Sequence, residues 1–164
     1  MDIDRLRQEL EQDEGCVFSI YLDHLGKKTF GIGHLVLPTD PEYPLKVGIP
    51  VSKLRVHDCF EEDIKIVLED CEILYEDFYS LPESVQHVLA NMMFNLGRTR
   101  LTQFKDLKKA IENRDFSSAA DAMVDSRWYT QVPNRAERLV HKMRMTIYNA
   151  EDWDKPNTTT IREQ

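Results

Sequence analysis

Positive charge is what this 164-residue chain is short of: 21 Lys and Arg against 29 Asp and Glu leave a formal charge of −8. Phosphate backbones are held by cationic contacts, so this balance argues against a nucleic-acid partner. Long apolar runs are missing as well. None approaches the roughly 20 residues that a membrane-spanning helix needs, and no stable membrane association is expected. The N-terminus, Met1-Asp2-Ile3-Asp4-Arg5, has neither the basic nor the apolar region of a secretory signal, which points to synthesis in a cytoplasm. Cysteine is scarce: Cys16, Cys59 and Cys71 are odd in number and lack metal-ligand spacing. Cys59 and Cys71 fall on one predicted helix, separated by roughly 18 Å at 1.5 Å per residue, too far to bridge. Free thiols in a reducing compartment are the expectation. Gly31-Ile32-Gly33 lacks the third glycine and the following helix of a phosphate loop. No internal repeat and no low-complexity segment is present.

What remains is ordinary soluble material, 41% hydrophobic and 30% charged, enough for one domain or for two small lobes sharing an element. Residues 2–14 read as an amphipathic helix with Asp2 as candidate N-cap and Ile3, Leu6 and Leu10 recurring at three and four. Val17 to Leu22 alternates, with Phe18, Ile20 and Leu22 on one face, and Phe30 and Ile32 alternate after the turn 24–28. Gly31 and Gly33 leave one strand face bare, suited to a sugar nearing the backbone or to tight packing. Pro38 to Pro50 holds four prolines and reads as a loop or short strand. Ser52 can cap a long helix through Phe60, Ile64, Val67, Cys71, Leu74 and Phe78. Ser80-Leu81-Pro82-Glu83 and Asn134-Arg135-Ala136-Glu137 read as capping boxes opening two further helices, the second reaching Ile147. Shorter helices are expected at about 104–113, 117–125 and 127–131. The tail 156–164 is expected to fray. Its Asn157-Thr158-Thr159 spells a glycosylation sequon without a secretory signal to use it.

The most informative stretch is 13–34. Asp13-Glu14-Gly15 looks like a helix ending on a left-handed glycine. That puts Glu14 in the last turn, beside unpaired carbonyls and the negative end of the helix dipole. Such surroundings disfavour ionisation, as a general acid working near neutrality requires. Asp23 closes the first strand at a polar turn, where a carboxylate stays solvated and ionised. One proton-holding and one ionised carboxylate are the equipment for glycosidic bond hydrolysis. An Asp at a hairpin turn is also an ordinary turn former, and Thr29, six positions later across the turn, is also an ordinary strand residue. His34 has no second His or Cys at zinc spacing, so a structural histidine is expected and no metal.

The run Asp13-Glu14-Gly15, then Tyr21-Leu22-Asp23, then Thr29-Phe30-Gly31-Ile32-Gly33-His34-Leu35, resembles the opening of the phage-type lysozymes, the T-even bacteriophage endolysin group. Asn91-Met92-Met93-Phe94-Asn95-Leu96-Gly97 and Ser126-Arg127-Trp128-Tyr129-Thr130-Gln131-Val132-Pro133-Asn134-Arg135-Ala136 continue it in the family's order, over about residues 1–150. The resemblance implies an α+β, mainly α, lysozyme-like fold: one domain over 1–155, with a small β-containing lobe at about 15–51. A connecting helix at about 52–79 leads to a helical lobe at about 80–155 that includes helix 2–14, with the substrate cleft between the lobes. It implies an N-acetylmuramidase of bacterial peptidoglycan that inverts configuration, needs no cofactor, works as a monomer and reaches the wall after release from its host. Glu14 would be the general acid and Asp23 with Thr29 would hold the attacking water. Leu35, Phe94, Asn95 and Arg135 would meet the glycan, Arg135 near the general acid, and His34 would pair with Asp63. Three departures stand out: Asn95 where glutamine is common, Val132 where a hydroxyl is common, and a 38–50 connection short of a small helix. Trp128 reads as core. Two rivals stay open, a non-catalytic peptidoglycan-binding module on the same fold and a lytic transglycosylase, which would not need the Asp23–Thr29 pair.

Overall fold

Gly15 is where the first helix stops. Helix α1 (Ile3–Glu14) runs up to it, and Gly15, at φ 70°, donates its N–H to the Glu11 carbonyl at 2.9 Å. That is a left-handed helix ending open to glycine at little steric cost. The computed structural model of the chain describes residues 1–147, so the expected fraying at 156–164 and the sequon at Asn157 lie outside the described residues. The described chain forms two units, Asp4–Ile66 and, together, Met1–Ile3 with the chain from Val67 on.

In the Asp4–Ile66 unit, strands β1 (Val17–Leu22), β2 (Lys28–Gly31) and β3 (His34–Leu35) make an antiparallel sheet in the order β1-β2-β3. The turn between β1 and β2 is written by Asp23 and Gly26. Asp23 Oδ1 accepts from the backbone N–H of Leu25 and of Lys27, both at 2.8 Å, while Gly26 supplies φ 75°. Tyr21 faces Thr29 across the ladder, and Thr29 in turn faces Leu35. The proline-rich connection returns along the free edge of β1: Gly48 and Val51 donate to the Ile20 and Phe18 carbonyls, and Ile20 donates to Ile49. Pro50 bridges Ser19 there, an edge position where its missing N–H costs nothing.

Helix α1, expected with the helical lobe, belongs almost wholly to this unit. Arg7 reaches Glu61 of the long helix α2 (Lys53–Leu74) through Nε and Nη2 at 2.6 and 2.7 Å, a bidentate pair whose geometry fixes direction as well as contact. Ser52 caps α2, its hydroxyl accepting from Arg55 N at 3.1 Å. Along α2 the expected stripe Phe60, Ile64, Val67, Cys71 and Leu74 is buried, joined by Val56 and Cys59, while Phe78, expected on the same helix, lies beyond its end. The helix ends five residues short of the expected 79, because Asp77 takes a left-handed conformation, φ 60°, ahead of a short turn at Phe78–Ser80.

The second unit is built around α3 (Glu83–Leu96), which is buried on nearly every side. Its start corrects the sequence reading: Pro82 takes the N-cap and no side chain caps it. Around it stand α4 (Arg98–Leu101), α5 (Lys105–Glu112), α6 (Phe116–Val124), α7 (Arg127–Gln131) and α8 (Pro133–Arg144). Helix α8 packs on α3, α6 and α7, and α5 on α6. The box at Asn134 is likewise not the start of α8. Pro133 occupies the first helical position, where its lack of an N–H is harmless, and Val132 is the N-cap. Ile147, expected on α8, lies beyond its end and is 89% exposed. All three cysteines are free, Cys59 and Cys71 buried on α2. Among the described residues no helix is long and apolar enough to cross a membrane.

Candidate active site

The acid that ends α1 is seated against the sheet. Gly33, in the turn between β2 and β3, has φ 63°, and a Cβ placed on it would stand 2.9 Å from Glu14 Oε2, 3.1 Å from its Cδ and 3.3 Å from its Cγ. The carboxyl end of Glu14 therefore lies flat along a backbone that carries no side chain at that point. At Gly33 the Glu14 side chain takes the space beside the bare backbone, and at Gly31 Val56 of α2 does, its Cγ1 3.0 Å from the corresponding position. Both glycines belong to tight packing.

Asp23 stays ionised for a structural reason. The Lys27 N–H, with help from the Leu25 N–H and nearby positive charge, holds its carboxyl below the usual carboxylate range. Both N–H groups go to Oδ1. Thr29 is 5% exposed, and its hydroxyl donates to the Lys27 carbonyl at 3.1 Å, which leaves the oxygen lone pairs to accept.

Tyr21 joins these groups. Burial raises its phenol above the ordinary range first, and the negative charges of Glu14 and then Asp23 raise it further. Both carboxylates thus act on one ring, whose cross-strand partner is Thr29. Nothing in its residue type singles Tyr21 out. The available signal was its position, near the end of an alternating strand and two residues before Asp23. Leu35, opposite Thr29 on β3, is 42% exposed. It borders an open groove of about 520 Å³ with Lys28, Leu37 and Tyr43.

His34 lies between two carboxylates. Its Nδ1 is 2.7 Å from Asp63 and its Nε2 2.8 Å from Asp40, so the sequence named one partner of two. Burial alone lowers the imidazole, but hydrogen bonds and charge from Asp63 and Asp40 outweigh it, and the net shift is upward. Asp40 belongs to the 38–50 connection, and Arg55 of α2 clamps the same segment through Glu42 at 2.7 Å.

The remaining candidates belong to the helical unit. From Val85 to Leu96 only Phe94 and Asn95 are not buried, so they mark where α3 opens. Trp128 is 2% exposed, in the core as its size implies, and gives its indole N–H to Asn95 Oδ1 at 2.8 Å. Arg135 is not a surface charge. It is 8% exposed and donates from Nε to Asn91 Oδ1 at 2.7 Å. This unit also carries a recess of about 470 Å³ lined by Arg100, Lys105 and Arg127 together with Asp106 and Asp125, beside Phe104 and Trp128. Among the described residues no group of three or more His, Cys, Asp or Glu is placed to hold a metal ion.

A small antiparallel sheet followed by a larger set of helices defines a lysozyme-like α+β fold. A model of the family described as Phage lysozyme matches residues 11–144, and the chain belongs to that family. It is 27% identical over 157 residues to "Probable T4-type lysozyme 2" of Dictyostelium discoideum, covering 84% of this chain and 92% of the relative. It is 28% identical over 142 residues to "Peptidoglycan hydrolase gp36" of Pseudomonas phage phiKMV, a longer protein of which 15% is covered. A third relative, "Pre-baseplate central spike protein Gp5" of Enterobacteria phage T4, is 26% identical over 152 residues and 26% covered.

Proposed function

We propose that this chain hydrolyses bacterial peptidoglycan, cutting the β-1,4 bond between N-acetylmuramic acid and N-acetylglucosamine. Family membership and the names of its relatives support the substrate class. The observation that carries the chemistry is the shared action of Glu14 and Asp23 on Tyr21, with Thr29 opposite that ring. Glu14 gives its proton to the leaving glycosidic oxygen as the bond to the anomeric carbon breaks. A water gives one hydrogen to Asp23 Oδ2, the oxygen without the turn's N–H bonds, and the other to the lone pairs of Thr29 Oγ1. Its own lone pair is then aimed at the anomeric carbon, and its proton passes to Asp23 as the new bond forms. Direct attack of this kind inverts configuration. Leu35, Phe94, Asn95 and Arg135 are proposed as glycan contacts. No cofactor enters.

The test is clearing of a Gram-negative cell-wall suspension by the parent protein and by Glu14→Gln. The proposal expects clearing by the parent and a loss on the order of a hundredfold or more in the variant, the usual range for a general acid. Equal clearing would remove Glu14 as the acid. Wall binding without clearing by either protein would make the chain a binding module.

A further inference from the structure

We propose that Gly33 is a positioning residue for the general acid, resting on the reading of Glu14 given above: the absence of a side chain at Gly33 is what lets the Glu14 carboxyl keep its seat. Three consecutive atoms of Glu14 flank the place a Cβ would take, at 2.9, 3.1 and 3.3 Å, so turning the carboxylate about its last bond relieves only one of the three approaches. What must yield is the whole end of the Glu14 side chain. Glutamate has three rotatable side-chain bonds, so its end can turn where a stiff core residue cannot. The damage from a methyl group at this position therefore falls on where the proton donor stands. A displacement of about an ångström is enough to cost a catalytic group on the order of a hundredfold in rate.

The same sheet contains its own control. Gly31 has the same φ of 63°, but a Cβ there meets Val56 Cγ1 at 3.0 Å and Cγ2 at 3.3 Å. Val56 is 4% exposed on α2 and, being β-branched, is stiff at its first side-chain torsion. The two glycines share the same φ, while the neighbours differ, a glutamate with three rotatable bonds at one and a stiff, buried valine at the other. The two substitutions should separate stability from activity in opposite senses.

The experiment compares Gly33→Ala with Gly31→Ala for unfolding midpoint, kcat and KM on soluble peptidoglycan fragments. Gly33→Ala is expected to lose no more stability than Gly31→Ala, to drop kcat on the order of a hundredfold and to leave KM within a few-fold. Gly31→Ala is expected to lose the greater stability and to keep kcat within a few-fold. Placed on Glu14→Gln, Gly33→Ala should add no further loss, because the group it displaces no longer donates. A drop in KM-dependent binding with kcat intact would overturn the proposal and give the Gly33 face back to the sugar. Equal kcat losses in both alanine variants would overturn it too. Side-chain NMR of carbon-labelled glutamate provides an arm free of activity: the Glu14 carboxyl resonance should move in Gly33→Ala and hold in Gly31→Ala. If the parent protein proves inactive, the peptidoglycan reading fails, yet this resonance still decides whether Gly33 seats Glu14.

Discussion

Trp128 donates its buried indole N–H to Asn95 Oδ1 at 2.8 Å, which ties the half-buried C-terminal turn of α3 to the core of the helical unit. Asn95 therefore has a structural duty before any contact with sugar. Asn95→Leu leaves the indole N–H without its acceptor and should destabilise the protein by about 1–3 kcal/mol, the range for stranding a buried donor. Asn95→Asp retains an acceptor oxygen and should cost less. Urea unfolding of the two variants checks this, and an equal or reversed order would contradict it.

His34 gives stability a pH dependence whose sign follows from its shift. Its value in the folded protein is raised by Asp63 and Asp40 against the opposing effect of burial. The stabilisation is therefore complete below the unfolded value of about 6.5 and is lost as pH rises through the folded value. Asp40 is lowered, with burial opposing and the Leu37 N–H, His34 and Arg55 favouring the carboxylate. Its contribution is present above about 3.9 and fades as pH falls through the folded value. Because two acids hold one ring, Asp63→Asn should bring the His34 titration only part of the way down. With Asp40→Asn added, burial acts alone and the value should fall below the ordinary one. NMR titration of His34 in the single and double variants reads this directly.

Tyr21 offers a titration of the site that needs no substrate. Since burial, Glu14 and Asp23 all hold its phenol high, removing either charge should ease its ionisation. Glu14→Gln and Asp23→Asn should each lower the Tyr21 value, observable by ring-labelled NMR. A ring that ignores one of them would contradict the shared placement of the two acids.

Net charge sets a further expectation. At −8 the chain is repelled by an anionic wall, and salt screens this over about 8 Å at physiological ionic strength. Clearing rate should rise from very low toward moderate salt. A monotonic fall from the lowest salt would reject net repulsion and show that local positive charge governs encounter.

How much of this was legible in the sequence follows from the range of the forces involved. The end of α1 at Gly15, the hairpin and the buried stripe of α2 are local matters of turn chemistry and periodicity, and the structure has them where the residues put them. Both capping boxes misled, because Pro82 and Pro133 each moved the helix start that the Ser and Asn had suggested. Within the Asp4–Ile66 unit, α1 meets α2 through the Arg7–Glu61 pair, 54 residues apart in sequence, which no local pattern reveals. At the candidate site, Glu14, Asp23 and Thr29 are proposed from the motif. Tyr21 and Asp40 were not singled out, and Gly33 was read only as a bare face suited to a sugar or to tight packing: what they meet comes from neighbours brought in by folding, a carboxyl against a bare backbone and a second acid on one imidazole.

The central claim is that water, held by Asp23 and Thr29, attacks the anomeric carbon while Glu14 protonates the leaving oxygen. The direct measurement is mass spectrometry of peptidoglycan fragments released in heavy-oxygen water, with the anomer formed first read by proton NMR. The account predicts one heavy oxygen at the new reducing end of N-acetylmuramic acid, delivered as the inverted anomer. Unlabelled anhydro ends would contradict it and make the chain a lytic transglycosylase, and a labelled end with retained configuration would overturn direct attack by water.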